Sequence, residues 1–423
     1  MAHQPLKKIF HMTRSGGEAA VEAEWQQRRD NPATVTWPYF VGEWETFAVN
    51  TVDLVGLQNQ AWRNELRVFD LWRSLPRVAQ LQYTHSLIID EIRSTNEIEG
   101  IHSTRQEVNA ALAAAHRVLD RNSENAQERK RFVEMAASYL VLFDPSMLGE
   151  DHKFPQALAD MRSLYDQLLL SSLEKEDYPD GEYFRKGPVV IADGTKTVHT
   201  GIIGEKDIKA RMRAMLESQS PDRTLPLVDA FVGHFMLEHT HPFYDGNGRF
   251  SRLLLAIRLR EVLSAPSALS LSAEIMRSKD RYYKAFVDAE HPLNRAELTH
   301  FVAAMLKILL RAQGQLIESL DEKLVDLVHL NEAIQALPIS GTKDQALFSE
   351  YQIKILHLLG QAALFHPLGI LKHHEIADLI ERSPSTIRPE LRKLEKADLI
   401  EATSKRPLAF RLSEKGKDRL GLS

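Results

Sequence analysis

Apolar residues recur along this chain with the period of a helix for most of its length. From Leu54 to Leu337 the spacing is helical, and strand-like segments are few and short. Val228, Phe231, Val232 and Phe235 fall at i, i+3, i+4 and i+7, so Leu227 to His239 carries a core face. Leu253, Leu254, Leu255 and Ile257 bury a second helix, Phe250 to Arg260. Further helices are predicted over Glu18 to Arg29, Arg105 to Asn122, Gln127 to Leu142, Pro155 to Leu173 and Leu298 to Leu337. Another runs through Leu87 to Arg93 and ends at Gly100, a residue suited to the position after a helix C-terminus.

Two stretches break this rhythm. Pro188 to Ala192 and Lys196 to Thr200 flank Asp193-Gly194-Thr195, and Asp-Gly between β-branched runs predicts a hairpin. Near the C-terminus, helices over Tyr351 to Leu359, Lys372 to Ile380 and Pro384 to Asp398 precede two strands, Ile400 to Thr403 and Ala409 to Leu412. That order is the winged-helix pattern. Arg388, Arg392, Lys393 and Lys396 are the charged positions of its recognition helix, and Lys405 and Arg406 tip the wing. They are candidate DNA contacts. Glu390, Glu395 and Asp398 dilute the basic face, and the segment's net charge is only roughly +3, so protein docking stays open beside DNA binding.

The 423 residues carry a formal net charge of −5 and no cysteine. No global basic field argues for nucleic acid or membrane. Disulfides, thiol catalysis and thiolate metal sites are excluded, which suits a reducing compartment. No apolar run approaches the ~20 residues of a membrane span, and the N-terminus lacks the apolar core of a secretory signal. The expected protein is soluble and cytoplasmic.

The chemistry concentrates in His241-Pro242-Phe243-Tyr244-Asp245-Gly246-Asn247-Gly248-Arg249-Phe250-Ser251-Arg252. Gly246 and Gly248 let the backbone approach an anion, and successive N–H groups in such a turn form an anion nest. The helix that follows points its N-terminus at the same place. Arg249 and Arg252 share one helix face. Asp245 sits where a carboxylate could hold a divalent metal against phosphate, and His241 is the neutral-pH base of the group. The pattern reads as a nucleoside triphosphate gripped at its phosphates beside a base for an attacking hydroxyl. His234, Glu238, His239 and His241 also form a histidine-rich run. Its spacing is not H-E-x-x-H, and a zinc hydrolase is the weakest of the readings.

The twelve residues resemble the signature of the Fic family, H-P-F-x-[D/E]-G-N-G-R-x-x-R, at every specified position. Upstream, Thr95-Asn96-Glu97-Ile98-Glu99-Gly100 is similar to that family's inhibitory motif, [S/T]-x-x-x-E-[G/N]. The resemblance covers roughly Asp53 to Lys307. It implies a mainly α fold: a Fic-type helical core with a small β-hairpin flap, followed here by a winged helix. The implied organisation is an arm over 1–40 and a Fic domain over 41–310, with the inhibitory helix at about 85–100 and the flap at about 187–204. A helical connector over 311–345 and a winged helix over 346–423 follow.

What the resemblance implies about function is a protein adenylyltransferase, moving AMP from ATP onto a Ser, Thr or Tyr hydroxyl with release of pyrophosphate. His241 would be the base and Asp245 the Mg²⁺ ligand. Gly246, Asn247, Gly248, Arg249 and Arg252 would hold the phosphates. Glu99, within the motif that includes Thr95 and Gly100, would block Arg252. The flap, with Val189, Val190, Ile191 and Val198, would dock the target by main-chain pairing. Tyr282 and Tyr283 resemble the segment closing the adenine pocket. An asparagine often found just before that pair is absent, and Ser278 lies there. Self-modification, a homodimer through the long leucine-rich helix and DNA as a partner are also expected possibilities. The same site could instead run the reverse hydrolysis, or serve as a nucleotide sensor for a DNA-binding regulator.

Overall fold

The computed structural model describes residues 3–13, 16–119, 132–144, 153–193, 196–220, 223–338, 348–366, 368–405 and 408–422. The chain divides into two compact units, Met1–Leu66 with Ile88–Gly314, and Arg67–Leu87 with Gln315–Ser423. It is mainly helical, with small antiparallel sheets.

The first unit opens with α1 (Leu6–Met12) and α2 (Gly17–Arg29), then a hairpin of β1 (Thr34–Val41) and β2 (Trp44–Val49). That hairpin is not among the elements read from the sequence. Its signal is a short period-two pattern in which Trp37, Tyr39 and Val41 are buried and alternate with exposed positions. Pro38, a residue confined to strand edges, disguises it. The hairpin braces the centre of the unit: Trp37 donates its indole N–H to Asp229 at 2.8 Å, and the Tyr39 hydroxyl contacts Thr240 at 2.8 Å.

Next come α3 (Val52–Arg73), α4 (Arg77–Ile98), α5 (Arg105–Leu119), α6 (Val133–Phe143) and α7 (Leu158–Leu169). Gly100 ends α4 in the left-handed region at φ +74°, and the Ile101 N–H bonds back to the Asn96 carbonyl at 2.9 Å. Thr104 opens α5 with a capping box: its amide bonds the Glu107 carboxylate, and its hydroxyl accepts from the Glu107 amide. The antiparallel hairpin of β3 (Val190–Asp193) and β4 (Lys196–Thr200) stands where the flap was expected, with turn residues Gly194 and Thr195 outside the described residues.

After α8 (Glu205–Ser218) come α9 (Pro226–Thr240) and α10 (Asn247–Val262), buried nearly all round and therefore the core of the unit. Helix α10 begins three residues earlier than the periodicity predicted. Asn247, Gly248 and Arg249 thus lie in its first turn and not in the loop. Short helices α11 (Ala265–Leu269), α12 (Leu271–Arg277) and α13 (Lys279–Glu290) lead to the long α14 (Thr299–Gln335).

The C-terminal part of the second unit holds α15 (Glu350–Phe365), β5 (Leu371–Lys372), α16 (His373–Leu379), α17 (Pro384–Lys396), β6 (Ile400–Lys405), β7 (Leu408–Leu412) and α18 (Glu414–Arg419). The strands order as β5-β7-β6, all antiparallel. Ile387, Leu391 and Leu394 turn one face of α17 inward, leaving Arg388, Arg392, Lys393 and Lys396 exposed. Lys393 pairs with Glu390 at 2.8 Å. Arg406 and the side chain of Lys405 lie outside the described residues.

Candidate active site

The loop between α9 and α10 is held from three sides. Phe243 is fully buried, stacked on Tyr165 with ring centroids 3.6 Å apart and edge-on to Phe250. The Asn247 side chain clasps the Phe243 main chain, accepting from its N–H at 2.9 Å and donating to its carbonyl at 2.8 Å. The Asn247 side chain, which the resemblance gives to the phosphates, here shapes the loop, and its main-chain N–H stands in the first turn of α10. Tyr165 donates to the Asp245 carbonyl at 2.8 Å. Gly246 caps α10 at φ +75°, where a Cβ would stand 2.5 Å from Leu169 Cδ1. Glycine is required there for both backbone and space.

His241 follows the last turn of α9 at φ +52°, an uncommon conformation for a non-glycine residue. The segments flanking the β3–β4 hairpin fix it there. Arg185, fully buried, donates from Nε to the His241 carbonyl at 2.8 Å, from Nη2 to the Ile202 carbonyl at 2.8 Å, and from Nη1 to the Gly187 carbonyl. Main-chain bonds from Arg185 to Pro242 and from Ile202 to Thr240, each 3.1 Å, join the same strands of chain. Gly201 is tightly constrained: a Cβ would lie 2.5 Å from Arg185 Nη2 and 3.0 Å from His241 Cβ. Sequence reasoning missed Arg185. Its one signal is a charged residue in an otherwise hairpin-forming segment, too weak to single out. Val189 pairs its carbonyl with the Gly201 N–H at 3.1 Å; Val190, Ile191 and Val198 lie in the strands, with side chains outside the described residues.

Two buried arginines face the helix start. Arg249 bonds Asp245 Oδ2 at 3.1 Å, and its Nε is buried without a partner among the described residues. Burial lowers its pKa, and Asp245 and Glu99 only partly offset that. Arg252 donates Nε to the Thr95 hydroxyl at 2.8 Å, and Nη2 to the Thr95 carbonyl at 3.1 Å and to Glu99 Oε1 at 2.6 Å. The structure therefore brings Thr95, Glu99, Gly248, Arg249 and Arg252 together. Burial alone would raise the Glu99 pKa, but Arg252 and then Arg249 hold it below the usual carboxylate value. Glu99 lies so close to α10 that a Cβ on Gly248 would stand 2.1 Å from its Oε1.

Beneath the loop, His234 is buried with Nδ1 on the Ser251 hydroxyl at 2.7 Å and Nε2 on the Tyr282 hydroxyl at 2.8 Å. Burial pushes its pKa down to about 3, so it stays neutral. With both nitrogens engaged it is not available as a ligand, and the histidine-rich run assembles no metal cluster among the described residues. Tyr282 is thus a core residue, whereas Tyr283 is half exposed at the end of α4, its hydroxyl 3.5 Å from the Ile98 carbonyl. Lys279 donates to that carbonyl at 2.7 Å, a cation at a helix C-terminus. Ser278 bonds Glu274 at 3.0 Å.

Asp245 is the metal candidate. Oδ1 accepts from the Gly246 amide at 2.6 Å, and the side chain stays 54% exposed. Its remaining lone pairs fit a hard cation, and the partnerless Nε of Arg249 beside it fits an anion.

Among solved structures, a Fic family protein from Desulfovibrio desulfuricans is 20% identical with a TM-score of 0.48, covering 86% of this chain and 97% of that one. Fic-1 from C. elegans is 18% identical, TM-score 0.40, over 64% and 74%. A Fic domain containing signaling protein from Bacteroides thetaiotaomicron is 18% identical, TM-score 0.40, over 61% and 98%. Residues 155–259, which hold the β3–β4 hairpin, the loop and most of α10, match the family model described as Fic/DOC family, so the chain carries a Fic domain over those residues.

Proposed function

We propose that the protein is an adenylyltransferase that moves AMP from ATP to a hydroxyl side chain of a protein and is autoinhibited by Glu99. The observation that carries this reading is the Glu99–Arg252 contact at 2.6 Å, lying against a glycine-opened helix start with an orphaned donor on Arg249. A carboxylate occupies the place of an anion at a helix N-terminus, where phosphates are recognised.

In the reaction, His241 takes the proton of the target hydroxyl. The hydroxyl oxygen bonds to the α-phosphorus as the bond to the β-bridging oxygen breaks, and pyrophosphate leaves. The amides opening α10, Arg249 and Arg252 hold the β- and γ-phosphates in line, so this chain's contribution is positioning and charge stabilisation. Mg²⁺ on Asp245 would supply further neutralisation of phosphate charge. Glu99 denies Arg252 to the γ-phosphate until it moves. The hairpin presents its main chain to the target segment. In the alternative hydrolysis, a water aligned by Glu99 would attack the phosphorus of an AMP-modified side chain, the bond to the side-chain oxygen would break as that oxygen takes a proton from His241, and AMP would leave.

The C-terminal helices and β5-β7-β6 sheet support a winged-helix module that selects a partner, DNA or protein, through the exposed α17 face. A homodimer and a cytoplasmic setting complete the proposal. Among the described residues, no helix is long and apolar enough to cross a membrane.

The test is intact mass after incubation with each Mg²⁺-nucleotide, for wild type and Glu99→Gly. A gain of one AMP on the variant or on an added protein supports transfer. No adduct with any nucleotide, and no release of AMP from a modified protein, overturns it.

A further inference from the structure

Away from the loop, three side chains from distant parts of the sequence converge. His3 precedes α1; Glu297 and His300 bracket the start of α14. One ligand atom from each lies within 4.8 Å of the other two. The His3 and His300 rings sit with centroids 5.4 Å apart, and His3 Nε2 touches Glu297 Oε1.

The carboxylate is placed at a cost. Arg295 and Ala296 both take left-handed backbone at φ +48° and +58°, conformations that non-glycine residues seldom adopt and that persist only where the surroundings impose them. Their turn delivers Glu297 into the interior, 3% exposed. The Phe47 amide on the Ala296 carbonyl and the Leu298 amide on the Phe47 carbonyl lock it to β2.

The ligands are also oriented from behind. Arg28 donates to the second Glu297 oxygen at 2.6 Å, and Thr299 bonds the same carboxylate. The His300 Nε2 is buried and has no partner among the described residues, so the ring can offer it as a lone-pair donor.

From this convergence we propose that His3, Glu297 and His300 form a binding site for a divalent transition metal of the zinc class. The donor set, two imidazoles and one carboxylate, is one that zinc accepts with a fourth position left open. A cavity of about 290 Å³, lined by Pro5, Asn294, Glu297 and His300, gives a way in. The metal acts as a clasp, fastening the segment before α1 to the turn before α14. Arg28 shares the carboxylate, so the site is weaker than the same donor set with an undivided glutamate. A plain hydrogen-bonded trio is the competing account; it leaves His300 Nε2 without a role.

The experiment uses the full chain, stripped with a chelator and titrated with Zn²⁺ by calorimetry, then with Co²⁺ by visible absorption. Wild type should bind one equivalent with the absorption of a low-coordinate nitrogen–oxygen site, and its thermal midpoint should rise with Zn²⁺. His300→Gln and His3→Gln should each lose that equivalent, weakening binding by at least the ~10–100-fold typical of outer-shell losses. His11→Gln, an exposed histidine on α1, should keep it. His3→Gln changes only the N-terminal segment and serves if His300→Gln does not fold. Zn²⁺ stoichiometry and Co²⁺ spectra unchanged in His3→Gln overturn the proposal, as does loss of the equivalent in His11→Gln alone.

Discussion

Two glycines with nearly the same backbone close the two helix ends that meet at the site. Gly100 ends α4 at φ +74°, and Gly246 opens α10 at φ +75°. Their neighbours differ. A Cβ on Gly246 would drive into Leu169, while one on Gly100 would meet nothing within 4 Å among the described residues. The start of α10 is wedged between an aromatic stack and α7. The end of α4 emerges at Glu99 and Gly100 from a turn buried at Thr95, Asn96 and Ile98, with polar contacts from Thr95 and Glu99 to α10 and from Lys279 of α13. The first end suits a fixed anion cradle, the second a detachable competitor for it.

The largest expected effect breaks the fixed end. His241→Ala should retain nucleotide binding and lose about 10²–10⁴-fold in transfer, read from labelled ATP. Transfer at the wild-type rate would remove His241 from the chemistry.

On the α4 side, Glu91, Thr95 and Glu99 are spaced by four and so lie along one face. Burial pushes the Glu91 carboxyl up to about 7, against the pull of hydrogen bonds from Ser272 and the Arg252 charge. Its folded value exceeds the ordinary 4.5, so the stability it contributes is complete below 4.5 and is lost as pH rises through 7. The amount is about 3 kcal/mol. Melting temperature should fall between about pH 5 and 8, and Glu91→Gln should flatten that slope. An unchanged slope in the variant would place the titration elsewhere.

Glu99→Gly should raise AMP transfer, by up to ~100-fold if the competent state is near one per cent at rest, a bias worth about 2.7 kcal/mol. Arg252 keeps its Thr95 contacts in that variant, so it stays in position; adding Arg252→Ala should abolish most of the gain. The Glu99 pKa is depressed, so its ionised contact is complete above the ordinary carboxylate value and is lost only as pH falls through the lowered one. The gain should therefore be equal at about pH 6 and 8. A variant no faster than wild type under saturating Mg²⁺-ATP would make Glu99 a helix-end acid without regulatory function.

The smallest effect sharpens the comparison directly. Gly100→Ala should destabilise by about 1–2 kcal/mol through backbone strain alone. Gly246→Ala should cost a further ~1–3 kcal/mol from overpacking against Leu169. Equal costs in denaturant titrations would mean the two ends are held alike.

Legibility from sequence followed sequence distance. His241 to Arg252 could be read because base, carboxylate, glycines and arginines are contiguous and their chemistry is local. The end of α4 at Gly100 was visible as a capping signal, but its contact spans 153 positions and only family resemblance joined Glu99 to Arg252. The grip of the Asn247 side chain on the Phe243 main chain was not legible, because periodicity started α10 at Phe250 and left Asn247 in the loop. The β1–β2 hairpin hid behind Pro38. Arg185 has only a weak local signal and the His3–Glu297–His300 cluster none, since their partners are supplied by the fold.

Arg185 carries one more consequence. Its planar, five-donor guanidinium holds the His241 carbonyl and both roots of the hairpin in a single rigid fork, which a lysine's point charge could not reproduce. If the hairpin docks a target strand as proposed, strain imposed on it by an ill-fitting target would pass through that fork to His241, the proposed base. Under the proposed function, discrimination among targets would then register in kcat more than in KM, because a poorly seated target would still bind but would pull the base out of line.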